Sequence, residues 1–215
     1  MLQRVYAGLI AAAVISAFLA SCSATPKTGI AHGAELFQNC KPCHGEAGHG
    51  NLELRAPAIA GLPEWYIIEQ VTKFKGDLRG ANPDDMEGHR MRPMARTLYH
   101  PGDIENVAAY VSSMPAKWMP PSYTAGDTAA GAVTFNGVCI TCHMADGKGN
   151  KDLHSPPIAQ QSDWYLVAQL NKFHRGWRGY SPDDVYGGQM RAMALTLADS
   201  TAMHNVVAYV KSLPH

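Results

Sequence analysis

The sequence predicts an all-α protein made of two tandem copies of one small domain. The first observation is an internal repeat: with a constant offset of 99 residues, residues 40–115 match residues 139–214 without an insertion. The second is that apolar residues near the end of each copy recur at helical spacing, for example Ile104, Val107 and Val111. No stretch of either copy alternates as a half-buried strand does. A duplicated helical domain accounts for these observations.

Each copy is predicted to contain three helices joined by long loops. A helix begins near Gly33 and leads toward Cys40, and a glycine-rich loop and a proline turn follow. A second helix spans roughly residues 64–74 and again 163–173, and the last helix carries the apolar pattern described above. We place domain 1 at residues 33–115 and domain 2 at 130–215. The linker at 116–129 contains Pro120-Pro121 and lacks an apolar period.

The N-terminus has the pattern of an export signal. A short basic region ending at Arg4 precedes an apolar run, so residues 1–21 are predicted to be a signal peptide. The apolar run is short for a spanning helix, which needs roughly 20 residues. Leu19-Ala20-Ser21-Cys22 resembles a bacterial lipobox, so Cys22 is expected to be lipidated, with residues 22–32 as a flexible tether. Ordinary cleavage and a retained transmembrane anchor remain alternatives.

Four of the five cysteines lie in two identical patterns, Cys40-x-x-Cys43-His44 and Cys139-x-x-Cys142-His143. This pattern is typical of c-type haem attachment. Two thiols at this spacing can form thioethers to the two vinyl groups of one porphyrin edge, and the following His falls under the iron. A zinc ribbon needs its cysteine pairs roughly 15–20 residues apart, and a redox dithiol needs no trailing His. The sequence therefore predicts two covalently bound haem c groups, with His44 and His143 as iron ligands.

The second axial ligand of each iron is expected to be a methionine. A thioether is a soft ligand that raises the reduction potential of haem iron, which suits electron transfer. Two pairs of methionines recur at the offset of 99, Met91/Met190 and Met94/Met193. The histidines outside the two attachment motifs have no counterpart at this offset, so two bis-histidine sites are not expected. Spacing alone leaves the choice between the two methionine pairs open.

The order of these motifs, with Pro-x-Ile-Ala, Trp-Tyr-x-x-x-Gln-x-x-x-Phe and a terminal Ala-Tyr-Val helix, resembles class I cytochrome c. The duplication resembles cytochrome c4, a dihaem periplasmic electron carrier, over roughly residues 31–215. The second proline turn departs from the first, since Pro157 and Gln160 replace Ala58 and Gly61. The lipobox is a further departure from soluble c4 proteins.

The resemblance also implies roles for individual residues. It implies Met91 and Met190 as iron ligands, with Met94 and Met193 as packing residues. It implies that the carbonyls of Pro57 and Pro156 orient the proximal imidazoles. Arg92 and Arg191 are expected either to pair with haem propionates or to be ordinary surface arginines. Together with the attachment motifs, these residues form the expected haem-binding set: Cys40, Cys43, His44, Pro57, Met91, Arg92, Cys139, Cys142, His143, Pro156, Met190, Arg191.

The expected function is electron transfer without catalysis, because two six-coordinate irons leave no position for a substrate. The resemblance implies a quinol–cytochrome c reductase as donor and a terminal oxidase or reductase as acceptor. Location in the bacterial periplasm, attached to the membrane through Cys22, is expected. With 18 basic and 18 acidic residues, no nucleic-acid partner is indicated, and no small-molecule substrate is expected. The alternatives are a cytochrome subunit of a larger dehydrogenase such as a flavocytochrome, and a dihaem peroxidase or thiosulfate dehydrogenase.

Overall fold

The computed structural model of the protein describes residues 28–122 and 125–214. The predicted signal peptide, Cys22 and the first part of the predicted tether lie outside these residues. Within the described ranges the chain is helical and contains no strand, only isolated antiparallel bridges such as Arg79–Arg178. The predicted all-α class is confirmed. None of the helices in these ranges is long and apolar enough to cross a membrane.

The same sequence of helices occurs twice. The elements of domain 1 are α1 (Gly29–Leu36), a 3₁₀ turn (Phe37–Asn39), α2 (Lys41–His44), α3 (Glu64–Lys75), α4 (Met86–Arg96) and α5 (Asp103–Ser113). The elements of domain 2 are α6 (Thr128–Thr134), a π turn (Phe135–Cys139), α7 (Ile140–His143), α8 (Asp163–His174), α9 (Val185–Ala194) and α10 (Ser200–Ser212). Helix α1 starts within the segment that was predicted as a tether.

In each domain the first and last helices cross at a glycine. A Cβ at Gly33 would lie 2.0 Å from the carbonyl oxygen of Asn106, and a Cβ at Gly131 would lie 2.0 Å from that of Asn205. Only glycine permits this approach of two helix backbones. One turn later an aromatic pair closes the crossing, with ring centroids 5.4 Å apart for Phe37 and Tyr110 in domain 1. The crossing fixes the start of each attachment motif against the last helix.

Helices α4 and α9 were not predicted from the sequence. They carry few apolar residues, and Pro93 lies inside α4. Each begins at a buried aspartate whose side chain accepts a hydrogen bond from a backbone N–H: Asp85 from Gly88 (2.9 Å) and Asp184 from Gly187 (3.0 Å). An N-cap of this kind satisfies one of the free donors at a helix start. The repeated Pro-Asp-Asp sequence was the available signal for these helices.

The two copies differ in length just before the attachment motif. Two residues lie between Phe37 and Cys40, whereas three lie between Phe135 and Cys139. The extra residue is taken up by the π turn, in place of the 3₁₀ turn of domain 1. π turns accommodate a single inserted residue within a helix. The offset between the copies is therefore 98 before this point and 99 after it.

Reciprocal buried ion pairs join the two domains. Lys73 Nζ of domain 1 lies 2.7 Å from Asp184 Oδ1, and Lys172 Nζ of domain 2 lies 2.5 Å from Asp85 Oδ1. Lys172 also binds Glu87 Oε2 at 2.8 Å. Each pair uses equivalent residues in swapped roles, so the domains are related by a local twofold axis, as in an isologous interface. The aspartates that form these pairs also cap α4 and α9, so domain contact and helix start share the same side chains.

Burial and ion pairing shift the pKa of the Glu87 carboxyl group in opposite directions. Burial alone would raise its pKa, but the hydrogen bond and charge of Lys172 and the hydrogen bond from Arg55 hold the pKa at about 2. The carboxylate is therefore ionised whenever the two domains are in contact at neutral pH.

The linker is attached to domain 2 at Ser122. The backbone N–H of Ser122 donates to Asp163 Oδ2 at 2.8 Å, and Asp163 is fully buried at the start of α8. Residues 123 and 124 lie outside the described part of the linker. The attachment at Ser122 holds the first part of the linker against domain 2.

Candidate haem sites

Both attachment motifs lie on short helices at the wall of one continuous cavity. Cys40 and Cys43 with His44 occupy α2 and the residue before it, and the equivalent residues occupy the same positions around α7. All six side chains line the cavity. The cavity extends across the boundary between the domains, so the two predicted haem sites open into each other. The last helix of each domain and α3 or α8 supply the apolar wall of each half, for example Val107 and Ile67 in domain 1.

The proximal imidazoles are held by the predicted carbonyls. His44 Nδ1 lies 2.8 Å from the carbonyl oxygen of Pro57, and His143 Nδ1 lies 3.0 Å from that of Pro156. A carbonyl only accepts, so Nδ1 carries the proton and Nε2 keeps its lone pair for a metal. Burial lowers the pKa of both histidines, although the hydrogen bond to the carbonyl opposes this. The neutral tautomer that iron requires is therefore the one the structure stabilises.

The burial of the first cysteine of each motif suits a thioether. Burial raises the pKa of Cys40 and of Cys139 to about 11, and the neighbouring Cys43 and Cys142 add to the effect. Sulfur at these positions is neutral at physiological pH. A thioether is also neutral, so covalent attachment to a porphyrin introduces no buried charge at sulfur.

All four candidate methionines line the cavity, but they differ in environment. Met91 is partly buried, packs against the core of domain 1, and lies on the same face of α4 as the buried Gly88 and Ala95. Met94 is 36% exposed and lies further round the helix. In α9 the buried residues are the equivalents Gly187 and Ala194. This geometry favours Met91, and by equivalence Met190, while the choice of ligand stays a prediction.

Two buried arginines meet where the halves of the cavity join. Arg79 is 6% and Arg178 8% exposed, and both line the cavity. Gln70 Oε1 accepts hydrogen bonds from Arg79 Nη1 and Arg178 Nη2, both at 2.8 Å. Gln169 Oε1 accepts from Arg178 Nη1 at 2.9 Å and from Arg79 Nη2 at 3.1 Å. We call these four residues the Arg–Gln quartet.

The quartet holds two positive charges without a carboxylate. Among the described residues, no acidic side chain forms an ion pair with either arginine. Each guanidinium carbon lies 4.4 Å from the ring centre of a phenylalanine, Phe74 or Phe173. Buried charges require a counter-charge, and arginine stays protonated. Anionic groups inside the cavity, such as haem propionates, fit this requirement.

Sequence reasoning missed the role of the quartet, although the repeat contained its residues. Each quartet arginine is followed by a glycine, and the backbone explains why the Arg-Gly dipeptide recurs in both domains. Gly80 has φ +76°, and a Cβ there would lie 2.4 Å from the carbonyl oxygen of Gly88. Gly179 has φ +69° and approaches Gly187 in the same way. The Arg-Gly dipeptide therefore lets the loop pass against α4 or α9 while the arginine enters the interface.

Arg92 and Arg191, predicted as propionate partners, differ from each other. Arg92 donates to Asp77 Oδ1 through Nε at 2.8 Å and Nη2 at 2.5 Å. In domain 2 the residue equivalent to Asp77 is Gly176, which has no carboxylate to accept from Arg191. The buried Nε of Arg191 has no hydrogen-bond partner among the described residues. Neither arginine is among the described residues that line the cavity. Their propionate role stays a prediction, and the structure offers the quartet arginines as further candidates.

Comparison with known families decides the identity of these sites. The cytochrome c family profile matches the chain twice, over residues 30–115 and 128–214. The chain belongs to the cytochrome c family. It consists of two cytochrome c domains, each of which holds one covalently bound haem c. The residues at both sites fit this cofactor: the proximal histidines are hydrogen-bonded, the sulfurs are neutral, and the two quartet arginines form no ion pair within the described part of the chain.

Individual relatives agree with this assignment. The chain is 32% identical to the thiosulfate dehydrogenase electron acceptor of Stutzerimonas stutzeri (strain A1501), over 72% of each chain. It is similar to the structure of cytochrome c4 from Acidithiobacillus ferrooxidans, with 28% identity and a TM-score of 0.67, over 82% of this chain and 99% of that one. It is also similar to thiosulfate dehydrogenase TsdBA from Marichromatium purpuratum (27% identity, TM-score 0.66), covering 86% of this chain but 40% of that one. This cytochrome is thus a dihaem, cytochrome c4-like electron-transfer protein.

Proposed function

We propose that this cytochrome is an exported electron carrier, held at the membrane by lipid on Cys22. It takes single electrons from a membrane complex of the quinol–cytochrome c reductase type and passes them to a terminal oxidase or reductase. The observation that carries the proposal is the equivalence of the two sites. Both have the same proximal His–Pro hydrogen bond and the same methionine helix, so neither half is specialised for a substrate.

The residues of the chain hold each site in one geometry. Each haem supplies a one-electron Fe(III)/Fe(II) couple. His44 and His143 present Nε2 in a fixed orientation because Nδ1 is bonded to a proline carbonyl. Helices α4 and α9 place Met91 and Met190 at the cavity wall, where their thioether sulfurs would serve as the second ligands of the two irons. The apolar walls exclude water, which limits the reorganisation that accompanies a change of charge.

The interface keeps the two sites at one separation. The reciprocal lysine–aspartate pairs and the Arg–Gln quartet join α3 and α8 with the segments before α4 and α9. Because the quartet lies where the halves of the cavity meet, its charges act on both sites. This arrangement supports transfer of an electron between the haems within the protein.

A ligand-binding experiment tests whether the iron sites are closed. Carbon monoxide needs a free or easily vacated axial position on ferrous haem. We expect the optical spectrum of the reduced wild-type protein to be unchanged after addition of carbon monoxide, while Met91→Ala, as a positive control, gives a spectral change worth one haem. A spectral change worth one haem in the wild type would contradict the carrier proposal and favour the peroxidase or dehydrogenase alternative.

A second candidate concerns the electron donor. One relative is named as an electron acceptor of thiosulfate dehydrogenase, which supports a thiosulfate-oxidising enzyme as donor to this chain. Mixing the oxidised cytochrome with thiosulfate and such a dehydrogenase, and separately with a quinol and its reductase complex, distinguishes the donors by the rate of haem reduction. Co-purification with a flavoprotein would instead favour the flavocytochrome-subunit alternative.

The proposed anchor predicts where the protein is found. With Cys22→Ser, the lipid attachment site is lost, so the protein is expected to move from the membrane fraction to the soluble periplasmic fraction, with its haem content unchanged. Fractionation followed by haem staining and mass spectrometry of the N-terminus measures both. Ser23→Ala, next to the attachment site, is the matched control. If the Cys22→Ser protein stays in the membrane fraction, anchoring through lipid on Cys22 is wrong.

A further inference from the structure

Domain 2 contacts the proximal side of the first haem site through one side chain. Gln161 Nε2 donates a hydrogen bond to the carbonyl oxygen of Ala58, at 3.0 Å, across the domain boundary. Ala58 directly follows Pro57, whose carbonyl oxygen accepts the hydrogen bond of His44 Nδ1 at 2.8 Å. Gln161 is 7% exposed and lines the cavity. A glutamine of domain 2 is therefore two hydrogen bonds and one short backbone segment away from the first iron ligand.

Gln161 itself is fixed by a buried lysine. Lys211 Nζ donates to the carbonyl oxygens of Gln161, at 2.7 Å, and of Ala159, at 3.0 Å. These bonds hold the backbone of Gln161 against the last helix of domain 2. The side chain of Gln161 is therefore presented to domain 1 from a rigid base.

The contact has no equivalent in the opposite direction. The position equivalent to Gln161 in domain 1 is Leu62, which has no side-chain donor. The residue equivalent to Ala58 is Pro157. The lysine–aspartate pairs and the Arg–Gln quartet are reciprocal, with equivalent residues in both directions. The contact of Gln161 is one-sided, and it reaches the backbone beside the proline that holds His44.

We propose that Gln161 is a positioning residue for the first haem: by holding the Pro57–Ala58 backbone, it strengthens the His44–Pro57 hydrogen bond and so lowers the reduction potential of that haem alone. A stronger bond from Nδ1 to its acceptor makes the imidazole a better donor to iron. A better donor stabilises Fe(III) relative to Fe(II). The proximal bond is shorter at the first site, 2.8 Å against 3.0 Å at the second, which agrees with the proposal.

The test compares Gln161→Met and Gln161→Leu with wild type in the full-length dihaem protein. Both substitutions remove the donor, and Leu is the residue that domain 1 has at the equivalent position. We expect the ratio of reduced to oxidised first haem at a fixed applied potential to rise about threefold, equivalent to about 28 mV at 59 mV per tenfold change for one electron. The second haem is expected to be unchanged. Gln160→Met, a substitution of the exposed neighbouring glutamine, is the matched control.

The two haems are followed separately by the hyperfine-shifted haem-methyl signals in proton NMR during a redox titration. Variants at Met91 and at Met190 assign the signals to one haem or the other. Equal shifts of both haems, or no shift in either Gln161 variant, would overturn the role of Gln161. The inference rests on the proposed electron-transfer function. That function would fail separately, if the wild type itself showed no pair of reversible one-electron steps.

Discussion

Replacing Met91 by Ala is expected to remove half of the weak long-wavelength absorption band that methionine sulfur gives on ferric haem. Met190→Ala is expected to remove the other half, because each methionine is proposed to ligate one iron. The reduction potential of the affected haem should fall by roughly 0.1–0.3 V, a fraction of the about 0.8 V that axial ligands span. Optical spectra of the oxidised protein and a redox titration measure both effects.

Met94→Ala and Met193→Ala are the matched controls, since they remove a methionine of the same helix that also lines the cavity. Both should keep the full band. Met91 is expected to be the ligand rather than Met94 because Met91 is partly buried and contacts the core of domain 1. Loss of the band in the Met94 variant, with the Met91 variant intact, would exchange the roles of the two methionines.

Lys172→Met is expected to destabilise the protein by roughly 3–5 kcal/mol, the usual cost of leaving one member of a buried ion pair without its partner. Asp85, at 2% exposure, loses the charge that lies 2.5 Å away, and Glu87 loses a second contact. Because Asp85 also caps α4, the loss should extend to the helix that carries Met91. Guanidinium unfolding followed by circular dichroism gives the free energy of unfolding.

The matched control is Lys148→Met. Lys148 pairs with Asp146 at 3.5 Å, but its side chain is 68% exposed, and exposed pairs contribute roughly 0–1 kcal/mol. A similar small effect of Lys172→Met would mean that the ion pairs between the domains add nothing to stability. The equivalent variant Lys73→Met, which leaves Asp184 unpaired, should behave like Lys172→Met because the interface is reciprocal.

The sequence allowed prediction of those features that depend on neighbouring residues or on repetition. The attachment motifs are local, and the repeat fixed the number of domains. The helix predicted over residues 64–74 is observed as Glu64–Lys75 because its apolar residues have helical spacing. Helix α4 was missed, since Pro93 and the polar residues around it obscure such a pattern. The helix is held by the Asp85 cap and by packing of Met91 and Ala95 in the core of domain 1.

The interface could not be predicted from one sequence. Gln70 and Arg79 recur as Gln169 and Arg178, but nothing in the repeat shows that the two copies face each other across a twofold axis. Buried polar groups that bond across a domain boundary look, in sequence, like ordinary surface residues. The contact of Gln161 was harder still, because it breaks the repeat and has no counterpart to draw attention to it.

The π turn before the second attachment motif provides a site at which the protein could be coupled covalently to a label or a surface. Its extra residue is confined between Phe135 and Cys139, and Gly137 within it is exposed, with no atom within 4 Å of the place where a Cβ would stand. A substituted residue there meets open solvent beside the second haem. Gly137→Cys would therefore provide a single coupling point for an electrode surface or a spectroscopic label, fixing the orientation of the protein by a short path to one of its two irons.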